Sequence, residues 1–176
     1  MTRRLPYSTA EFIPPWSDPS EWRAVNDAMA ATLGNRASRF GPARSVANAI
    51  LSRVRHLDRF LDALCADTCA TCGDNCCRRA TVWYDFKDLL GFHLGGAPIP
   101  VRQLALSPER ACRFLTSSGC TMPRTQRPFV CNWFICAAQK REMAAWPLSH
   151  RTFLINSLFA LKVGRNRMEK HFMSCF

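Results

Sequence analysis

CATCGDNCC, residues 69–77, places four cysteines within nine residues of sequence. Its gaps of two and three residues let the chain turn once between thiols and bring successive sulfurs to one metal ion. Four more cysteines follow, separated by seven, ten and four residues. The predicted metal ligands are Cys69, Cys72, Cys76, Cys77, Cys112, Cys120, Cys131 and Cys136. Each group carries enough thiols for a complete four-ligand site.

The compartment expected for the chain favours metal ligation over disulfides. Ten cysteines in 176 residues are compatible with a disulfide framework. Arg3 and Arg4 are followed by prolines and Glu11 rather than by the continuous apolar stretch of a secretory signal. We therefore expect a cytoplasmic protein, and in that reducing compartment cysteine clusters bind metal or take part in catalysis.

Size and charge bound the rest of the molecule. With 48% hydrophobic residues, the chain can bury a core as one domain over residues 1–176. No apolar run approaches the ~20 residues that span a bilayer, so we expect no membrane partner. The formal net charge of +11 allows an anionic partner to bind a basic surface. The cations are spread along the chain, which indicates a solvated surface rather than a nucleic-acid platform, and any protein or redox partner is unknown.

Helices are predicted on both sides of the cysteines. Asp18-Pro19-Ser20-Glu21 is typical of a helix start, and Gly34 offers a stop. A second helix is predicted from Gly41, because its apolar residues recur at steps of three and four up to residue 64. Together these helices cover residues 18–64. A C-terminal helix is predicted over 149–173, with a break at Gly164.

The middle of the chain predicts less regular structure. Residues 81–86 are rich in β-branched and aromatic side chains and predict a short strand. Glycines and prolines over 91–100 indicate an irregular connection. A helix start at 107–109 would place Cys112 in a helix. The predicted fold is α+β and predominantly helical, a compact single domain whose metal-binding core spans 65–136 in irregular cysteine-rich loops.

A family resemblance rests on the same residues. Cys69-x2-Cys72-Gly-x2-Cys76-Cys77, then Cys112-Arg-Phe-Leu, Cys120, Arg127-Pro128 and Cys131, occur in the order found in the CxxCxxCC family. The chain resembles these YkgJ-like cysteine-cluster proteins, which are described as zinc or iron chelators. It departs from their pattern in having three residues, rather than two, between Cys72 and Cys76.

The resemblance implies a metal centre on a helical scaffold, ligated from the eight cysteines named above. Flagellin lysine N-methylases carry a similar cysteine domain and are associated with an iron–sulfur cluster and S-adenosylmethionine. A methylase of that kind is therefore one alternative for this chain, although no residue pattern here identifies a methyl-donor pocket.

Two kinds of metal centre fit the cysteines. Four thiolates satisfy tetrahedral zinc, commonly as paired Cys-x2-Cys units, which would make the chain a zinc-stabilised module that binds protein or nucleic acid. Here the second group is widely spaced, and adjacent Cys76 and Cys77 suit different irons or different sites better than one small ion. These features favour one or two iron–sulfur clusters, for example of the 4Fe-4S type, acting in redox chemistry or as the metal core of a modifying enzyme. A further arrangement is that each site takes cysteines from both groups.

For two further cysteines, Cys65 and Cys175, the sequence leaves open whether they are ligands. Cys65-x3-Cys69-x2-Cys72 matches the spacing of radical S-adenosylmethionine enzymes, but only 104 residues follow Cys72, whereas the full barrel of those enzymes takes about 200. Cys65 is therefore expected to be a helix-face residue. Cys175 could pair with His171, but a histidine on an amphipathic helix is more often solvated.

Other polar residues leave the reaction undecided. Arg127 could donate to cluster sulfur or to an anionic cofactor, or Arg127-Pro128 could simply shape the turn before Cys131. Asp85 and Asp88 are expected to be solvated. The nucleophile elbow, the Walker loop, the dinucleotide glycine pattern and the His-Glu-x-x-His helix are all missing from the sequence. Whether the chain is an enzyme is left open, and any chemistry is expected at the metal.

Overall fold

A computed structural model of the chain describes residues 13–69, 72, 77, 82–104, 112–117 and 119–176. Within these residues lie six α-helices and one antiparallel pair of short strands. In chain order they are α1 (Pro19–Asn35), α2 (Gly41–Cys69), α3 (Phe86–Gly95), β1 (Leu115–Thr116), β2 (Gly119–Cys120), α4 (Phe129–Trp133), α5 (Ala137–Ala144) and α6 (Leu148–Met173). The predicted class, α+β with a predominance of helix, is confirmed.

The two N-terminal helices occur where the sequence predicted them. Asp18 caps α1 by accepting hydrogen bonds from the backbone N–H groups of Ser20 and Glu21. A 3₁₀ turn over Ala37–Phe40 then joins α1 to α2. The apolar stripe of α2 is buried, and the helix continues into the first cysteines. The cysteine loop is therefore attached to a packed helix.

Helices α2 and α6 pack antiparallel along their lengths. Phe40, just before α2, stacks on Phe172 near the end of α6 at a ring-centroid distance of 5.3 Å. Phe60, late in α2, contacts Phe153 near the start of α6 at 5.2 Å. This arrangement brings the cysteine end of α2 to the N-terminal end of α6.

The predicted break at Gly164 is wrong, because α6 is continuous from Leu148 to Met173. Gly164 instead lies where α6 comes closest to Ile50 of α2. A Cβ atom at position 164 would lie 3.1 Å from Ile50 Cγ1. Glycine is used here for close helix packing rather than for a kink.

The apolar core has three parts. The first part joins the end of α1 and the start of α2 to α3 and to the last turns of α6. The second part surrounds Tyr84 between α1 and α3. The third packs the C-terminal half of α2 against α5 and α6, directly below the cysteine end of α2. Its buried members are Val54, Leu57, Leu61, Leu64, Met143, Leu154 and Leu161.

The strand predicted over residues 81–86 is wrong in the part that is described, since 82–85 are irregular and Phe86 begins α3. Capping explains the difference. Asp85 accepts from the backbone N–H of Asp88, and Asp88 accepts from that of Asp85, forming a reciprocal cap. The irregular connection predicted over 91–100 is also wrong in its first half. Helix α3 extends to Gly95 and ends at Gly96, which adopts the left-handed conformation (φ 66°).

Asp88 is buried, contrary to the expected solvated role. It accepts from Arg165 of α6 and from the backbone N–H of Phe129. Arg165 also forms a bidentate pair with Asp85 (2.7 and 2.8 Å). Burial raises the pKa of Asp88 to about 6, while the adjacent Arg165 guanidinium acts in the opposite direction. This network fixes α3 to α6.

The second cysteine region forms a hairpin rather than a helix at Cys112. Cys112 enters a turn that leads to β1, and β1 pairs with β2 so that Leu115 lies opposite Cys120. The predicted helix start at 107–109 lies outside the described residues. None of the described helices is both long and apolar enough to cross a membrane.

We expect Gly164→Val to destabilise the protein by about 1–3 kcal/mol, because the added side chain meets Ile50 in a packed interface. Urea denaturation would measure the change. The control is Gly34→Ala, since no atom lies within 4 Å of a Cβ at that helical position. It should stabilise by about 0.5–1 kcal/mol. Equal effects of the two substitutions would contradict the close approach at Gly164.

We expect Arg165→Met to cost about 3–5 kcal/mol, because it leaves the buried Asp88 carboxylate without its counter-ion. Adding Asp88→Asn should restore part of the loss in a double-mutant cycle. Lys87→Met is the control, since its ion pair with Glu169 also joins α3 to α6 but is solvent-accessible. That change should cost less than about 1 kcal/mol. Similar losses of folding stability in Arg165→Met and Lys87→Met would contradict the claim that burial makes the Arg165 ion pairs more important than the exposed Lys87 pair.

Candidate metal centre

Cys65 and Cys69 lie four residues apart on the last turns of α2, so their side chains share one face of the helix. Gln139 of α5 faces both thiols. Its Nε2 donates to Cys65 Sγ at 3.5 Å and lies within 3.9 Å of Cys69 Sγ. Two sulfurs from the first cysteine group are thus held beside a residue from the C-terminal part of the chain.

Cys136 belongs to the same neighbourhood. It is the N-cap of α5, and its Sγ accepts from the backbone N–H of Gln139 at 3.5 Å. In return, Gln139 Oε1 accepts from the backbone N–H of Cys136 at 3.1 Å. This reciprocal cap fixes the Gln139 side chain, which is 6% exposed. We call Cys65, Cys69 and Cys136 the helix-end group.

Two buried arginines set the charge around Cys65. Arg124 is 3% exposed, and it forms ion pairs with Asp58 (3.0 Å) and Asp62 of α2. A hydrogen bond with Cys69 is the main cause that lowers the pKa of Cys65 to about 6. Burial opposes this shift, and the charges of Arg124 and Arg127 add smaller contributions that lower the pKa. Cys65 is therefore largely thiolate at neutral pH, and thiolate is the form that ligates metals.

A second set of cysteines meets at the hairpin. The backbone N–H of Cys112 donates to the carbonyl of Cys77 at 2.9 Å. Burial raises the pKa of the Cys112 thiol, and the nearby Cys120 adds to this effect. We call Cys77, Cys112 and Cys120 the hairpin group.

The two groups combine cysteines that are far apart in sequence. Cys136, from the second sequence cluster, joins Cys65 and Cys69, whereas Cys77, from the first cluster, joins the hairpin. Cys72 follows α2 directly, with its backbone N–H 3.3 Å from the carbonyl of Cys69. Cys76 lies outside the described residues.

Cys131 lies on α4 and is exposed. Burial raises the pKa of Tyr84, and both Cys131 and Cys112 contribute to that shift through their proximity. The phenol donates to the backbone carbonyl of Gln126 at 2.9 Å. Cys131 and Cys112 therefore both lie within electrostatic reach of Tyr84.

Arg127 stabilises the segment after the hairpin through hydrogen bonds to backbone carbonyls. It is buried and donates from Nε to the carbonyl of Met122 (2.8 Å) and from Nη2 to the carbonyl of Cys120 (3.3 Å). Of the two roles considered from sequence, shaping the loop matches these contacts. Its charge still reaches Cys65.

A small cavity lies beside these arginines. Its volume is about 60 Å³, and Arg124, Arg127, Asn132 and Arg165 line its polar side. Asn132 is 6% exposed and donates from Nδ2 to the carbonyls of Arg124 and Arg127. Among the residues that the structure describes, none donates to Asn132 Oδ1. The cavity lies along α2 between Ala47 and Val54, and none of the described cysteines lines it.

The described part of the chain does not contain a complete set of metal ligands in coordinating positions. Within it, no three His, Cys, Asp or Glu side chains are spaced to hold a metal ion. No disulfide joins the nine cysteines that are described. Residues 73–76 and 78–81 lie outside the described residues.

Sequence reasoning missed two residues of this neighbourhood, Gln139 and Arg124. Cys65 lies on a face of α2, as expected, and its four-residue spacing from Cys69 puts the two on one side of the helix. Gln139 and Arg124 carry no motif, and only tertiary packing brings them to the sulfurs. Cys175 is remote as expected, since its Sγ donates to the carbonyls of Arg39 and His171 at the opposite end of α2 and α6.

Comparisons with protein-family models, curated proteins and solved structures gave no match to this chain.

We expect Cys65 to make stability depend on pH in reduced, metal-free protein. Because its pKa is about 6 in the folded state against about 9 when unperturbed, its stabilising contribution should be complete above pH 9 and disappear as pH falls through 6. Cys65→Ala should therefore destabilise more at pH 8.5 than at pH 5.5, as measured by urea denaturation. Cys175→Ala is the control for removing a remote thiol. An equal loss for Cys65→Ala at both pH values would contradict a stabilised thiolate.

Proposed function

We propose that this protein binds a cysteine-ligated metal centre, an iron–sulfur cluster in preference to zinc, at the cysteine end of α2. The observation that carries the proposal is the environment of Cys65 and Cys69. Their sulfurs face the amide N–H donors of Gln139 and the positive charge of Arg124. Donors and cations favour thiolates, which are the ligand form for iron and zinc alike.

The residues fit such a centre by their chemistry. The helix-end group supplies thiols from α2 and α5, and Cys72 lies one turn beyond Cys69. The hairpin group supplies a second set from both sequence clusters. In this proposal Cys65, Cys69, Cys72 and Cys136 draw together around one centre when the metal binds, since no three of them are spaced for an ion in the described arrangement. Cys77, Cys112 and Cys120 contribute to another centre together with Cys76 or Cys131.

Iron–sulfur is preferred because the thiols divide into two sets. Cys77 lies with the hairpin while Cys72 stays with α2, so the short segment between them links two groups of ligands. Iron–sulfur sites accept such varied ligand spacing, whereas paired Cys-x2-Cys units typical of structural zinc are not reproduced in the second cluster. The resemblance to cysteine-cluster proteins supports metal binding and leaves the metal open.

With such a centre, the protein would act in redox chemistry or form the metal core of a modifying enzyme. An iron–sulfur cluster supplies one-electron transfer or an iron site for cofactor chemistry. The chain's own residues hold the sulfurs and keep the Arg124 guanidinium buried beside α2.

Ligand substitutions test this proposal. Cys65→Ser, Cys72→Ser and Cys76→Ser should each lose most of the bound metal, since a neutral hydroxyl replaces a thiolate. Cys175→Ser, at the far end of the bundle, should keep wild-type content. Elemental analysis per mole of folded protein provides the measurement. Full metal retention in the first three variants would contradict the ligand assignment.

A further inference from the structure

The Gln139 side chain is placed in an unusual way for a glutamine. It is buried and belongs to a helix that starts beside the cysteines. Its Oε1 accepts from the backbone of Cys136, which leaves the Nε2 hydrogens pointing away from that bond. Those hydrogens face Cys65 Sγ at 3.5 Å and Cys69 Sγ at 3.9 Å.

We propose that Gln139 is a positioning residue of the metal centre, which holds the Cys65 and Cys69 sulfurs as a pair and donates hydrogen bonds to them as ligands. This inference rests on the proposed function. It also names a residue that no motif marks and that is not itself a ligand.

The capping geometry makes this role specific. A buried side-chain amide with one acceptor and two donors is satisfied only if both ends find partners. The N-cap backbone satisfies the acceptor, and the sulfurs satisfy the donors. Thiolate sulfur accepts such bonds better than neutral thiol, because bonds to an ionised acceptor are about twice as strong. Gln139 therefore stabilises the site most when both cysteines ligate metal.

The donors should also affect the electronic state of a bound cluster. Hydrogen bonds to ligand sulfur are one of the factors that set iron–sulfur reduction potentials. Because reduction adds negative charge to the cluster, donors stabilise the reduced form more than the oxidised form. Removal of the Gln139 donors should therefore shift the reduction potential to a more negative value.

Two substitutions separate donation from helix capping. Gln139→Leu removes both functions. Gln139→Glu keeps an acceptor for the Cys136 backbone N–H, but removes the N–H donors and places a carboxylate by the sulfurs. Met143→Leu is the matched control, since it changes a buried residue one turn further along α5 without altering a donor.

The experiment reconstitutes wild type and variants with iron and sulfide under anaerobic conditions. It then measures cluster content, cluster half-life with a chelator, and reduction potential by titration, with helix content checked by circular dichroism. We expect a more negative potential or faster cluster loss in both Gln139 variants, at unchanged helix content, and neither change in Met143→Leu.

The outcomes distinguish the two proposals. Unchanged potential and half-life in both Gln139 variants would overturn the role of Gln139 while leaving the iron–sulfur centre intact. Failure of wild-type protein to take up iron and sulfide would overturn the proposed function, and this inference with it. An effect in Gln139→Leu alone would reduce Gln139 to a helix cap and also overturn the inference.

Discussion

The antiparallel packing of α2 against α6 fixes where the thiols of this chain lie. Close approach at Gly164 and Ile50 keeps the two long helices together in the middle. Aromatic contacts join their opposite ends, with Phe40 against Phe172 and Phe60 against Phe153. The same packing brings α5 beside the end of α2, and it leaves Cys175 at the other end of the bundle.

Buried arginines connect this scaffold to the cysteines. Arg165 ties α6 to α3 through two aspartates, and Arg124 ties the loop after the hairpin to α2. Each arginine is paired, so its burial does not leave an uncompensated charge. Arg124 also adds positive charge near Cys65, and the contacts that hold the fold therefore contribute to the thiolate environment of the proposed centre.

The sequence predicted the parts of the fold that depend on local signals. The cap at Asp18 and the apolar stripe of α2 were sufficient to locate the first two helices. Prediction failed where a tertiary partner or a capping interaction decided the outcome. Aromatic and β-branched residues over 81–86 suggested a strand, but the reciprocal cap between Asp85 and Asp88 begins a helix there. Gly164 suggested a break because its neighbour Ile50 is 114 residues away in sequence.

In the candidate site, too, local spacing predicted some residues, whereas others are brought in only by tertiary contacts. Spacing identified eight cysteines, and the structure brings members of both clusters together. Cys65 was expected on the helix face, and its spacing from Cys69 places the two on one side only because α2 continues to Cys69. Gln139 could not be found from sequence, since its contacts with Cys65 and Cys69 span 74 and 70 residues.

The central claim is that these thiols hold an iron–sulfur centre. Its most direct test is the iron and acid-labile sulfide content of protein purified without oxygen, with the visible absorption spectrum of the same sample. The account predicts iron with matching sulfide and a broad visible absorption that bleaches on reduction. Colourless protein with stoichiometric zinc, or protein that contains no metal, would contradict it.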